Sequence, residues 1–118
     1  SIIATGLCVS EALAAADTLA EQGIHAEVIN IHTIKPLDEE LVVKTAKKTG
    51  RVFTVEEHSI IGGLGATVAE MLGEKCPTKI TRIGVNDVFG ESGPAKELLH
   101  KYELDAEGIA NRILREMK

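Results

Sequence analysis

Two carboxylates, a histidine and three glycines stand within ten residues of one another in the stretch VFTVEEHSIIGGLGATVAEML, residues 52–72. Two chemistries are open to them. Glycine lets backbone N–H groups approach an anion closely at a helix N-terminus, so Gly62, Gly63 and Gly65 raise the prospect of a phosphate cradle. Glu56, Glu57 and His58 raise acid–base catalysis, because imidazole titrates near neutrality and a neighbouring carboxylate tunes it. The cradle fails on detail. From Gly63 the sequence runs G-L-G-A-T-V, with Val68 where the dinucleotide-binding pattern needs Gly or Ala, and no G-K-[ST] occurs. A tight strand-to-helix turn with close helix packing is the plainer use of the glycines. On a strand, Glu56 and Glu57 face opposite sides and form no dyad. If Glu57 points toward the loop, it binds N–H groups of the glycine turn in an architectural role.

Little else along the chain has the spacing of a site. His25, His32 and His100 show no i, i+4 pairing and no nearby cysteine, so no metal centre is expected. Cys8 and Cys76 lie far apart without a C-x-x-C, which removes zinc and redox signatures and fits a reduced, cytoplasmic protein. Ser10 and Ser59 sit in no G-x-S-x-G elbow. The loop residues Asn86, Asp87, Glu91 and Ser92 suit partner contacts and solvent equally.

The elements that would position these residues follow from the pattern. Four β-branched runs, 1–6, 25–31, 51–57 and 79–85, alternate with helical periodicity, the order that builds βαβ units. Ser10 is expected to cap a first helix presenting Ala12, Leu13, Ala16, Leu19 and Ala20, with Gly23 as its stop. The second carries stronger signals: Asp38 as N-cap, a Leu37–Val42 staple, acids first, lysines last and Gly50 as terminator. A third runs from about Gly65 to Leu72 and a short fourth starts near Pro94. A fifth opens at Asp105, with a Leu104–Ile109 staple and a stripe of Ile109, Ile113 and Met117. The expected fold is therefore α/β: a three-layer open sheet, mainly parallel, four strands in order 2-1-3-4 with helices on both faces. That order puts a topological switch between strands one and three, where TGLCVS and EEHSIIGGLG would meet.

At 118 residues and 44% hydrophobic, the chain is expected to be one domain, residues 1–118. A net charge of -5 argues against nucleic acid and anionic membranes, and no run nears the ~20 apolar residues of a membrane span. The one tight basic cluster, Lys44, Lys47 and Lys48, closes a predicted helix and complements its dipole.

The segments IIATGLCVSEAL, INIHTIKPLDEE, VEEHSIIGGLGATVAE and GVNDVFGESGPAKELLHKYELDAEGIA, in that order, resemble the C-terminal domain of transketolase over essentially the whole chain. The likeness is close to the separate C-terminal subunit of two-chain transketolases. It is poorer to 1-deoxyxylulose-5-phosphate synthase and to the β chains of 2-oxo acid dehydrogenase E1 components. The resemblance implies a cytoplasmic transferase of the pentose phosphate pathway that moves a two-carbon ketol unit between sugar phosphates. It implies that thiamine diphosphate and a divalent metal, Mg or Ca, are bound by two other domains across a homodimer, and that this chain alone is inactive and supplies no catalytic, cofactor or metal residue. It also implies an antiparallel first strand, absent here, as expected of a truncated piece. Beside this stands a regulatory anion-binding module using the switch crevice. Under the transketolase reading, Glu57, His58, Ile60, Ile61, Gly62, Gly63 and Gly65 form a loop facing a partner domain, because Ile60 and Ile61 are large apolar residues where loops are ordinarily polar. Three glycines in four positions permit positive φ in the turn, and a bulky residue at Gly63 would be strained if its φ is positive.

Overall fold

The structure, a computed structural model, describes residues 1–6, 8–31, 37–59, 63–85 and 104–117, and of residues 57–59 and 85 the backbone alone. The elements are β1 (Ile2–Ala4), α1 (Cys8–Glu21), β2 (Val28–Asn30), α2 (Glu39–Thr49), β3 (Arg51–Ser59), α3 (Leu64–Lys75), β4 (Lys79–Val85) and α4 (Ala106–Glu116). The helix expected near Pro94 lies outside the described residues.

Among the described residues all strand pairs are parallel and the sheet order is β2-β1-β3-β4, the order expected from right-handed crossovers and a sheet covered on both faces. The pairing Ile2↔Phe53 and Ala4↔Val55 puts alternate residues of β1 and β3 on common faces. On one face Ile2, Ala4, Phe53, Val55 and Ile83 pack with Cys8, Ala12, Ala15 and Leu19 of α1 and with Ile109, Ala110 and Ile113 of α4. On the other, Ile3 and Val52 pack with Val42 and Ala46 of α2 and with Leu64, Val68 and Leu72 of α3. Each Val, Leu, Ile or Phe side chain among them withdrawn from water is worth about 1.5–3 kcal/mol, and each alanine methyl less, which is what holds the three layers together.

The helix termini carry the expected signals where the cap is local. Asp38 accepts from Leu41 N at 3.1 Å, and Gly50 ends α2 in the left-handed region, φ 73°, with its N–H on Ala46 O. Gly23, φ 82°, closes α1 in a Schellman arrangement, Ile24 N donating to Leu19 O and Gly23 N to Ala20 O. Asp105 caps α4 through Gly108 N, and Leu104 and Ile109 are both buried. Two apolar faces differ from expectation. α1 begins at Cys8, so Ser10 lies inside it, and the buried set is Cys8, Ala12, Ala15 and Leu19, with Leu13 left 53% exposed. Alanines at 12, 14, 15, 16 and 20 offer small residues on several sides, and only the sheet selects among them. α4 ends at Glu116, and Met117, expected on its buried stripe, is 48% exposed.

Candidate functional site

The switch point falls where the sequence placed it. β1 and β3 are neighbours, yet the chain leaves β1 through α1 toward β2 and leaves β3 through α3 toward β4, so their carboxyl ends open side by side. Gly6, φ 56°, turns the chain just past β1, and α1 starts two residues later. At the end of β3 the register with β4 breaks. Val55 pairs with Ile83, but the next pair is Ser59 with Val85, so residues 56–58 stand opposite Gly84 alone. A bulge of this kind bends the strand and re-aims side chains beside the crevice.

Glu56 opens this irregular stretch, and it is the one buried carboxylate among the described residues, 1% exposed within a strand whose Val52, Phe53 and Val55 are buried too. Its Oε1 accepts from Leu64 N at 2.9 Å and its Oε2 from Gly65 N at 2.7 Å. These are orphan donors of the first turn of α3, where the helix dipole favours negative charge. The N-cap residue itself, Gly63, has no side chain to do this. The strand thus caps the helix. The architectural role expected of Glu57 belongs to Glu56, because strand alternation puts Glu56 on the face of Val52 that α3 covers.

The glycines divide. Gly63 has φ -95° and ψ -153°, extended backbone open to any residue, so the condition for strain there, a positive φ, is not met. Gly65 is held by sterics: a Cβ at that position would lie 2.8 Å from Thr54 Oγ1 and 2.8 Å from Arg82 Cγ. Its missing side chain lets α3 start directly on the sheet. Thr54 is fully buried there, and its hydroxyl is the one buried side-chain polar atom among the described residues without a hydrogen-bond partner. Of the remaining expected residues, Glu57 and His58 lie in β3 by backbone, their side chains outside the description, and Ile60, Ile61 and Gly62 lie outside the described residues. Sequence reading missed Thr54, and it missed Glu11, which reaches from α1 to accept from Ala106 N of α4 at 2.8 Å. The faint signal for Glu56 was a carboxylate at the end of an otherwise apolar alternation.

This arrangement has little to offer a diphosphate. The donors that would cradle one at the start of α3 already hold Glu56, so the described residues do not fit thiamine diphosphate there. Among the described residues no group of three His, Cys, Asp or Glu side chains is placed to hold a metal ion. A hollow of about 90 Å³ lined by Ser1, His25, Arg51 and Met117 lies at the opposite, amino ends of the strands, well below the ~300 Å³ at which ligand pockets begin. No helix among the described residues is long and apolar enough to cross a membrane.

A parallel sheet in the order 2-1-3-4, covered by helices on both faces and with a strand carboxylate capping the helix at its switch point, is an α/β domain. The profile of the transketolase C-terminal domain matches residues 1–109, and the chain belongs to that family. It is 55% identical, over 92% of its length and 34% of the relative's, to the 6-deoxy-6-sulfo-D-fructose transketolase subunit of Clostridium sp. (strain MSTE9). It is 45% identical, over 93% of its length and 18% of the relative's, to 1-deoxy-D-xylulose-5-phosphate synthase 1 of Geobacter sulfurreducens. A solved chain titled "Split gene transketolase, inactive beta4 tetramer" superposes with a TM-score of 0.90 at 47% identity, covering 97% of this chain and 37% of that one. The chain thus spans about a third of the length of its transketolase relatives and less of the synthase.

Proposed function

We propose that residues 1–118 act as one domain, the C-terminal, non-cofactor-binding part of a thiamine-diphosphate-dependent transketolase, and that its work is assembly. The complete enzyme transfers a two-carbon ketol unit between sugar phosphates. In that enzyme the other domains or a separate subunit hold thiamine diphosphate and its divalent metal, the whole is a cytoplasmic homodimer, and this chain alone is inactive. The observation that carries the reading is the capped start of α3, where Glu56 takes the two donors that a phosphate ligand would use there. That also weighs against a regulatory anion-binding module. The family match, a relative named as a transketolase subunit and a neighbour titled as an inactive tetramer support the same reading. The 45% identity to a 1-deoxyxylulose-5-phosphate synthase favours that enzyme as the second reading, with the same division of labour.

The segment 57–63 is the surface we assign to the partner half, with Ile60 and Ile61 as its apolar contacts. Ile60→Asp and Ile61→Asp are expected to weaken association with the thiamine-binding half, measured by sedimentation, more than they shift urea unfolding of this chain. Both variants assembling as wild type would refute the assignment.

A further inference from the structure

We propose that the hollow of about 90 Å³ at the amino ends of the strands is a socket for one aliphatic side chain, carried in the complete enzyme by the segment that leads into β1, at the position immediately before Ser1. The inference rests on the reading of this chain as the C-terminal part of a larger enzyme. The chain spans about a third of the length of its transketolase relatives, so a complete protein of that kind has other segments to supply the occupant.

The register of the sheet picks out the position. The parallel ladder already holds at Ser1: its nitrogen donates to Arg51 O at 2.8 Å, Phe53 N donates to Ser1 O at 2.8 Å, and Ile2 N donates to Glu27 O at 2.8 Å on the other side. Ile2 pairs with Val28 and with Phe53. Two residues back along each parallel strand, the position before Ser1 falls between Ala26 and Arg51, and both line the hollow. Side-chain alternation gives the same answer independently. Ser1 turns to the α2 face, where its hydroxyl lies 2.6 Å from Thr45 Oγ1, whereas Ile2 packs on the face of α1 and α4. The residue before Ser1 therefore shares the face of Ile2, and that is the face of Leu19, Phe53 and Ile113, which line the hollow too.

The lining sets the chemistry of the occupant. Leu19, Phe53 and Ile113 are buried core residues, and a charged or amide head among them would lose its hydration. A branched aliphatic chain gains by the same burial and suits an extended backbone. Arg51 does not ask for an anion, since its guanidinium already donates to Val52 O, Lys79 O and Thr81 Oγ1 and lies 4.3 Å from the centre of the Phe53 ring. An aliphatic occupant would also cover Met117, which lines the hollow yet is 48% exposed.

The test extends the 118-residue chain by two residues before Ser1. A Gly-Val extension, with valine next to Ser1, is expected to raise the midpoint of urea unfolding by about 0.5–1 M over Gly-Gly and to shift the methyl resonance of Met117. Val-Gly places the same valine one position further out, on the opposite face, and is expected to do neither. Equal midpoints for Gly-Val and Gly-Gly, or equal gains from Gly-Val and Val-Gly, would overturn the socket. In the complete enzyme, glycine in place of the residue before Ser1 is expected to lower the midpoint of this domain's transition by a similar shift, and an unchanged midpoint there would overturn the assignment of the occupant. Either failure leaves the assembly role standing, because Ile60→Asp and Ile61→Asp test that role by sedimentation and do not touch the hollow.

Discussion

Replacing Glu56 by Gln removes one charge-assisted bond outright and turns the other into a neutral one. The two bonds, 2.9 Å to Leu64 N and 2.7 Å to Gly65 N, end on a side chain 1% exposed, so water does not replace what is lost. Bonds to a charged acceptor are worth about 1.5–3 kcal/mol each, and an unsatisfied buried donor costs about 1–3 kcal/mol. Together these give an expected destabilisation of about 2–4 kcal/mol for Gln. Glu56→Ala also leaves a cavity and strands both donors, for about 3–5 kcal/mol. Against a total stability of roughly 5–15 kcal/mol, either change is large. Urea unfolding followed by circular dichroism reads it. With a slope of about 2 kcal/mol per molar urea, the middle of the usual range, the Gln midpoint falls by about 1–2 M. Hydrogen exchange should lose protection first at the Leu64 and Gly65 amides. A Gln midpoint within about 0.5 kcal/mol of wild type, or unchanged exchange at those two amides, would refute the claim that the strand carboxylate holds the helix.

Two further outcomes follow from neighbouring geometry. Gly65→Ala is expected to destabilise by about 1–3 kcal/mol through overpacking, and less in a Thr54→Ala background, where the atom 2.8 Å from the new methyl is gone; equal costs in both backgrounds, from urea midpoints, would show that the contact is not the cause. The Glu27 carboxylate is held below its usual 4.5 by bonds from Lys48 Nζ at 2.5 Å and Thr45 Oγ1 at 2.7 Å. A depressed folded value means the carboxylate stabilises the fold above about 4.5 and that this contribution is lost as pH falls through the lower folded value. The difference in urea midpoint between wild type and Glu27→Gln should accordingly shrink below pH 4.5, and a difference constant from pH 7 to 3 would contradict it.

The strand order was legible because it needs only the alternation of β-branched runs with helical periodicity and the handedness of crossovers. The bounds of α2 were legible because Asp38 and Gly50 act on their own helix. What depends on which strand lies beside which was not. Choosing Glu56 over Glu57 as the clamp requires knowing that Phe53 shares a face with Ile2, a register no single strand records. Gly65 and Gly63 read alike in sequence, and only the approach of α3 to Thr54 and Arg82 separates them. The bulge at 56–58 appears only when β4 is laid alongside β3. Glu11, capping α4 from 95 residues away, left no local trace.

The central question is where the chemistry of the complete enzyme resides. Purified chain is supplied with thiamine diphosphate, magnesium, a ketose phosphate donor and an aldose phosphate acceptor, and ketol transfer is followed before and after adding the thiamine-binding half. The expected result is no transfer by the 118-residue chain alone and transfer that appears in proportion to the complex formed. Sustained turnover by the chain without its partner half would contradict the division of labour proposed for it.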